Sequence, residues 1–565
     1  MPSALDLRME AAVAAVTGPQ GLMTVGSAAG DDGMMAGAVM VPGAPGTLPG
    51  FFDLFCMMHG DKPAVVAGEE RLTFGALGVM SDRVARAFAG GWGIGKGDRV
   101  AIAMRNCPSW IVVYMAAVKA GAIVTLVNGW WQPDELAAGI GLVLPRLIVA
   151  DAERARRIAA AGIAATVVIL PIEADLAEAL LPLIDGIAEA ARPEVMPEDD
   201  AAILFTSGST GQAKGAVSDH RAVVTAAYTF LTYTASLLQL MVDDGRPPRD
   251  PPATLIGVPL FHVTGAVAVM LNSFAMGRKM VLMRKWDAGE ALRLIAAEKV
   301  TYFVGVPTMS LELMQHPDRD AHDLTSLLDI GAGGAARPAA HVGRLIDAFP
   351  ASAPMLGYGL TETNATGCTN FRDNYAAKPA STGLPQRPFV NVAIFGEDGA
   401  ILPPGERGEI GLRSRANFRG YWQDAAATAA AFRGAYFLTG DVGYLDPDGY
   451  LFIVDRAKDI IIRGGENISC QEVEAVIYTH PAVAEASVFG LADDRLGEVP
   501  GAVIRLTEDA MLSGAELGAF LAGRLADYKR PVRVWFSDAP LPKLGTGKID
   551  KKALRVSHGA MAIPA

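Results

Sequence analysis

Residues 201–216 read AAILFTSGSTGQAKGA: a small, branched apolar run passes straight into six consecutive Thr, Ser and Gly residues, with a lysine three positions on. A short apolar run bounded by a glycine-rich turn reads as a buried strand, and the pattern places the turn between that strand and a helix. Glycines let the backbone curl so that successive N–H groups converge, hydroxyls add donors, and Lys214 adds positive charge. Such a concavity is built to hold phosphate. It is not a Walker A loop, which requires Gly-x-x-x-x-Gly-Lys-Ser/Thr; here Ala213 precedes the lysine and Gly215 follows it. A Ser/Gly run is ordinarily a flexible linker, but a position between a buried strand and a helix leaves a linker nothing to do. Thr206, Ser207, Gly208, Ser209, Thr210, Gly211 and Lys214 are therefore candidate phosphate ligands.

The same strand belongs to a longer alternation. From Ala64 onward AVVAG, the helix Phe74–Gly90, RVAIAM, the helix Ser109–Ala120 and AIVTLV succeed one another, and the pattern resumes in LRLIAAEKV–TYFVGVP and HVGRLIDAFP. Strands alternating with helices argue for an α/β fold with a mostly parallel sheet. With 565 residues, 51% of them hydrophobic and 19% charged, the chain exceeds one simple domain and can bury a large core. Ala222–Val242 and Ala253–Gly277 carry no formal charge, yet threonines, Pro259, His262 and Asn272 interrupt them. They read as buried elements of the core rather than membrane spans.

Charge and cysteine usage narrow the class. A net charge of −12 with no long basic block argues against a nucleic-acid binder. Four cysteines without a C-x-x-C pair fit neither a disulfide scaffold nor a zinc module. Asp6, Arg8 and Glu10 do not make a signal peptide, and a cytoplasmic location is expected. Residues 1–48, with Leu5–Val16 amphipathic and Met34–Pro49 rich in Gly, Met and Pro, read as an N-terminal extension or loosely packed arm. Near Arg387 the pattern shifts to short strands and Gly-marked turns, which suggest hairpins. The charged DRAKD at 455–459 then marks a junction before a last compact α/β stretch.

Three further segments carry chemistry. Gly331–Ala336 (GAGGAA) superficially satisfies the dinucleotide fingerprint, but no acid stands about 20 residues on, where that fingerprint needs one; 350–356 reads PASAPML. Gly357-Tyr358-Gly359-Leu360-Thr361-Glu362 brackets an aromatic able to stack on a base and ends on a carboxylate able to hold Mg²⁺. Asp441, in Thr439-Gly440-Asp441, could accept from ribose hydroxyls with Arg456 beside it. Lys548 closes a Gly-Thr-Gly-Lys tip, where a catalytic cation would be reachable.

Read in order, TSGSTGQAKG, GYGLTET, TGD, DRAKD with RGGENIS, and GTGK resemble the adenylate-forming superfamily of acyl- and aryl-CoA synthetases, luciferases and adenylation domains. The resemblance runs from about Leu48 to Leu554. It implies a large N-terminal domain of two α/β lobes plus a β-rich lobe, and a small mobile α+β C-terminal domain. The boundaries expected are 1–48 for the extension, 49–455 for the adenylation domain, 456–458 for the hinge and 459–565 for the mobile domain. It also implies roles: Thr206–Gly211 and Lys214 on the ATP phosphates, and Gly333, Gly334, Ala335, Gly357, Tyr358 and Thr361 around adenine. Asp441 and Arg456 would take the ribose, Glu362 Mg²⁺, and His262 would stand beside the carboxylate. Lys548 would bridge carboxylate and α-phosphate, Lys458 would be the hinge, and Gly464 and Gly465 would border the channel for coenzyme A. Leu438 and Cys470 depart from residues common in relatives, neither at a position that carries chemistry.

The implied function is ATP-dependent ligation of a carboxylic acid to the thiol of CoA through an acyl-AMP. The acyl wall, read as 263–267, 330–335 and 355–358, lacks Asp and Lys. That favours a hydrophobic monocarboxylate, a medium- or long-chain fatty acid ahead of an aryl or alicyclic acid. Loading of a separate carrier protein is the competing enzyme reading, and a nucleotide-binding regulator the non-enzyme one. Only 17 residues follow Lys548, which argues against a fused carrier domain. A homodimer is left open.

Overall fold

The computed structural model describes residues 3–19, 21, 23–27, 39–207, 213–335, 337–456, 459–463, 466–493, 495–522, 524–544 and 548–559. Two sheets with helices on their faces form the bulk of the large domain. In the 7-stranded sheet, Arg99–Ala103 is flanked in parallel by Ile123–Leu126 and Leu147–Ala150, and Asp200–Ser207 lies parallel to Ile123–Leu126. These strands are near-continuous Val, Ile, Leu and Ala because both faces are covered. The helix Pro108–Lys119 between them is buried on every side.

The 9-stranded sheet has a parallel centre of Ala353–Gly359, Asp329–Ala332, Tyr302–Gly305, Ala253–Ile256, Lys279–Leu282 and Pro63–Ala67. Gly333, Gly334 and Gly357 stand at the carboxyl ends of adjacent strands there, where open parallel sheets bind ligands. A 5-stranded antiparallel sheet follows, built from Val390–Phe395, Gly408–Ser414, Phe432–Arg433, Tyr436–Leu445 and Leu451–Arg456. The small domain has its own 5-stranded sheet and a separate core of Ile461, Ile468, Val473, Ile477, Val488, Ile504 and Leu517.

Two expectations are corrected. The Ser/Gly loop does not join a strand to a helix: Asp200–Ser207 pairs antiparallel with Ala213–Asp219, Thr206 opposite Lys214, and the helix begins only at His220. Val217 packs with Ile203 across the hairpin and Ala216 with Phe418 and Phe437 beyond it, so the lysine-bearing segment extends before it coils. Nor is the N-terminal arm loose over residues 4–17. Ala4–Thr17 is a helix with a Ser3–Asp6 capping box, and it buries Met9, Ala12 and Val13 against Leu237 and Leu240 of the long helix. The Asp6 carboxylate is buried, accepting from Asn374 Nδ2 at 2.7 Å and Tyr450 Oη at 2.8 Å.

The apolar stretches resolve as expected. Ala222–Val242 lies in the helix His220–Asp243, long and apolar enough to cross a membrane, but its most apolar window is 61% buried inside the protein. Ala253–Gly277 becomes a strand (Ala253–Ile256), a π-helical turn (Thr264–Leu271) and a short α-helix (Asn272–Met276). The π-turn, a form often found at functional sites, starts two residues after His262.

Candidate active site

Glycines mark a cleft at the carboxyl edge of the larger sheet. A Cβ built on Gly357 would meet nothing within 4 Å, and one on Gly333 would only graze Gly357 O at 3.7 Å and Thr264 Cγ2 at 4.0 Å. Gly334 holds φ +76°, a conformation natural to glycine, and a Cβ there would stand 3.6 Å from Lys548 Cε. The small domain's lysine thus reaches the large domain's glycine loop. The Leu544 N–H donates to the Lys548 carbonyl at 2.7 Å. His262, two residues before Thr264, has a buried Nε2 without a hydrogen-bond partner among the described residues. Burial, with the Lys548 charge adding to it, pushes its pKa down to about 3, so the imidazole is neutral at physiological pH.

A second group converges on Tyr421, which sequence reasoning missed. Its Oη donates to Glu362 Oε1 at 2.9 Å, and Lys214 Nζ sits 4.8 Å from its ring centroid. The pairing of Gly420–Tyr421 with Ala216 and Val217 brings the ring under the loop hairpin. Burial and the Glu362 charge hold the phenol well above its usual pKa, so it remains a donor. Glu362 itself is buried in a 3-10 turn, Thr361–Thr363. Tyr358 Oη donates to Asp441 Oδ2 at 2.7 Å, a pairing across 83 residues of sequence that no local signal announces. In the next ladder, Asp441 stands opposite Arg456.

The expected site residues therefore fall into three groups. Gly333, Gly334, Gly357, His262 and Lys548 meet in one cleft, with Ala335 continuing the glycine loop. Thr206, Lys214 and Glu362 are joined by backbone pairing or through Tyr421, and Tyr358 pairs with Asp441. For Ser207 and Arg456 only the backbone is described. Gly208, Ser209, Thr210, Gly211, Lys458, Gly464 and Gly465 lie outside the described residues.

A metal held by protein alone would need several ligands, and no group of three or more His, Cys, Asp or Glu among the described residues could supply them. Mg²⁺ commonly takes one or two carboxylates plus substrate phosphates. Glu362 fits that mode: it is a hard oxygen donor, oriented by Tyr421 and near the lysine of the loop hairpin.

Comparison with known proteins assigns the family. Residues 52–422 match the model of the AMP-binding enzyme family, and residues 472–548 match that of the AMP-binding enzyme C-terminal domain. The chain belongs to the AMP-binding enzymes. It is 35% identical over 509 residues to a feruloyl-CoA synthase of an Amycolatopsis species, covering 89% of this chain and 97% of that one. It is 32% identical over 529 residues to a long-chain-fatty-acid–CoA ligase of Bacillus subtilis, covering 87% and 91%. An anthranilate CoA ligase solved with anthranoyl-AMP superposes with a TM-score of 0.81 at 25% identity, over 90% of this chain and 97% of that one. This AMP-binding enzyme is an acid–thiol ligase of the ATP-dependent acyl-CoA ligase family, with ATP and CoA as co-substrates.

Proposed function

We propose that the chain activates an apolar monocarboxylic acid, a medium- or long-chain fatty acid first, through an acyl-AMP to its CoA thioester. The observation that carries the reaction is the juxtaposition of Lys548 with the open glycine cleft and a neutral His262. A carboxylate approaching the α-phosphate of ATP is an anion approaching an anion. Lys548 offsets that repulsion where charge develops, the kind of contribution that dominates such transition states. Mg²⁺, when bound, would add charge neutralisation on the phosphates, with Glu362 as its protein ligand. A carboxylate oxygen then bonds to the α-phosphorus while the bond to pyrophosphate breaks.

The remaining residues bind and orient. A neutral His262 can donate to the carboxylate without charge of its own, and it excludes water from the acyl side. Lys214 and the loop Thr206–Gly211 grip the phosphates, with Gly333–Ala335, Tyr358 and Thr361 around the base, and Asp441 with Arg456 on the ribose. In the second half-reaction the thiol sulfur of CoA bonds to the acyl carbon and AMP leaves. Rotation of residues 459–565 about Lys458 would withdraw Lys548 and open a channel past Gly464 and Gly465.

Lys214→Ala tests the phosphate assignment. The lysine is only half-buried, so its charge-assisted contact is set at the lower end, about 1.5 kcal/mol, and the KM for ATP should rise about tenfold while that for the acid stays put. An unchanged ATP requirement contradicts the assignment.

An apolar acid comes first because the segments read as the acyl wall, 263–267, 330–335 and 355–358, carry no Asp or Lys. An aryl acid is the second reading, supported by the feruloyl and anthranilate relatives. A panel of octanoate, dodecanoate, palmitate, benzoate, 4-coumarate and ferulate, assayed for AMP with ATP and CoA, decides between them. Highest kcat/KM on an aliphatic acid supports the first reading, and on a ring the second. Turnover confined to a dicarboxylate or amino acid would contradict both.

A further inference from the structure

Lys543 is pinned between two carboxylates on different domains. Within the small domain its Nζ lies 3.1 Å from Glu485 Oε1, and Glu485 also accepts from the Leu541 N–H at 2.9 Å. Across the domain boundary the same Nζ lies 3.4 Å from Glu312 Oε1. Glu312 is not a loose surface acid: its other oxygen accepts from Trp286 Nε1 at 2.5 Å. Trp286 in turn stacks on Phe303, with ring centroids 5.6 Å apart and planes within 21°. The large domain thus offers a fixed carboxylate, on the helix Pro307–Gln315.

Lys543 is also the base of the hairpin that carries Lys548. Residue 543 bridges residue 549 across it, and the Asp550 N–H donates to the Pro542 carbonyl at 2.7 Å. Fixing Lys543 therefore fixes where Lys548 points.

We propose that Glu312 is the docking carboxylate that seats the small domain for acyl-AMP formation: by holding Lys543 it delivers Lys548 to the glycine cleft. Glu312 touches neither substrate nor reacting atoms, so it is a positioning residue, and its role rests on the reading of Lys548 given above. It shares the boundary with an edge-on contact of His341 and Tyr478, centroids 5.3 Å apart. Its loss should weaken docking without abolishing it.

The size of the effect follows from exposure. The Glu312 and Lys543 side chains are 42% and 26% exposed, and pairs so hydrated are worth little, which corresponds to about 2- to 5-fold in rate. Glu312→Gln keeps an acceptor for Trp286 and removes only the charge, so it should lose that much in acid-dependent pyrophosphate release. Glu312→Lys sets like charges together, where the cost is several-fold larger, and should lose about tenfold or more. Glu312→Asp should retain most of the rate. All three should make thioester from synthetic dodecanoyl-AMP and CoA at the wild-type rate.

The contact can be read without turnover. A zero-length carbodiimide should join the Glu312 carboxylate to the Lys543 amine in the full-length wild type, detected as one cross-linked peptide pair and absent from Glu312→Gln. No 312–543 cross-link in folded protein would overturn the docking contact. So would variants that slow both half-reactions equally, or neither. If the cross-link forms but the wild type releases no pyrophosphate with any acid of the panel, the reading of Lys548 fails instead, and the adenylation role of Glu312 falls with it.

Discussion

Lys548→Ala is expected to lower acid-dependent pyrophosphate release by about 10²–10³-fold, the usual cost of removing one donor from a developing anion. Thioester formation from synthetic acyl-AMP and CoA should survive in the same variant. The reason is geometric. Lys548 Cε stands beside Gly334, and its charge adds to the burial that lowers the pKa of His262. No other lysine on the C-terminal hairpin reaches the cleft, since Lys543 is held between Glu312 and Glu485. A neutral neighbour cannot replace it when carboxylate meets α-phosphate. Loss of both half-reactions to the same extent in well-folded protein would contradict a role confined to adenylation.

Gly357→Val should abolish activity and leave the fold intact. Gly357 lies in the strand Ala353–Gly359 without a positive φ, and a Cβ there meets nothing within 4 Å. A β-branched residue is well suited to such a backbone, so the urea midpoint should not move. The open space is where we propose that the acyl-adenylate sits, and filling it would displace the reacting atoms. A displacement of about 1 Å can cost about 10²-fold, so kcat/KM should fall by at least about that much. A control is Gly359→Val, whose Cβ would lie 2.3 Å from Ala365 O; it should destabilise the protein outright. An active, stable Gly357→Val variant would remove this cleft from the site.

The motifs were legible because each is local: glycines and a charged or aromatic residue within a few positions, at the end of an apolar run. That is enough to find Gly333, Gly357, Glu362, Asp441 and Lys548. What joins them is not local. Tyr421, on the edge strand of the 7-stranded sheet, reaches Glu362 across 59 residues, and Tyr358 of the 9-stranded sheet reaches Asp441 of the antiparallel sheet across 83. The loop hairpin was misread because AKGAVSD is too short for its period to separate strand from helix. The N-terminal helix looked detachable because its buried acid, Asp6, is answered by Asn374 and Tyr450, more than 360 residues away. Docking of the small domain through Glu312 and Lys543 was equally hidden, since nothing in either segment names the other.

The proposed chemistry turns on one bond: a carboxylate oxygen joined to the α-phosphorus and later left behind there. The direct measurement supplies dodecanoate with both carboxyl oxygens as ¹⁸O, together with ATP and CoA, and reads the products by mass spectrometry. AMP should carry one ¹⁸O per turnover, the thioester should keep the other, and pyrophosphate should carry none. Turnover that yields unlabelled AMP, or places the label in pyrophosphate, would mean that no acyl-adenylate forms and would contradict the role given to Lys548 and the glycine cleft.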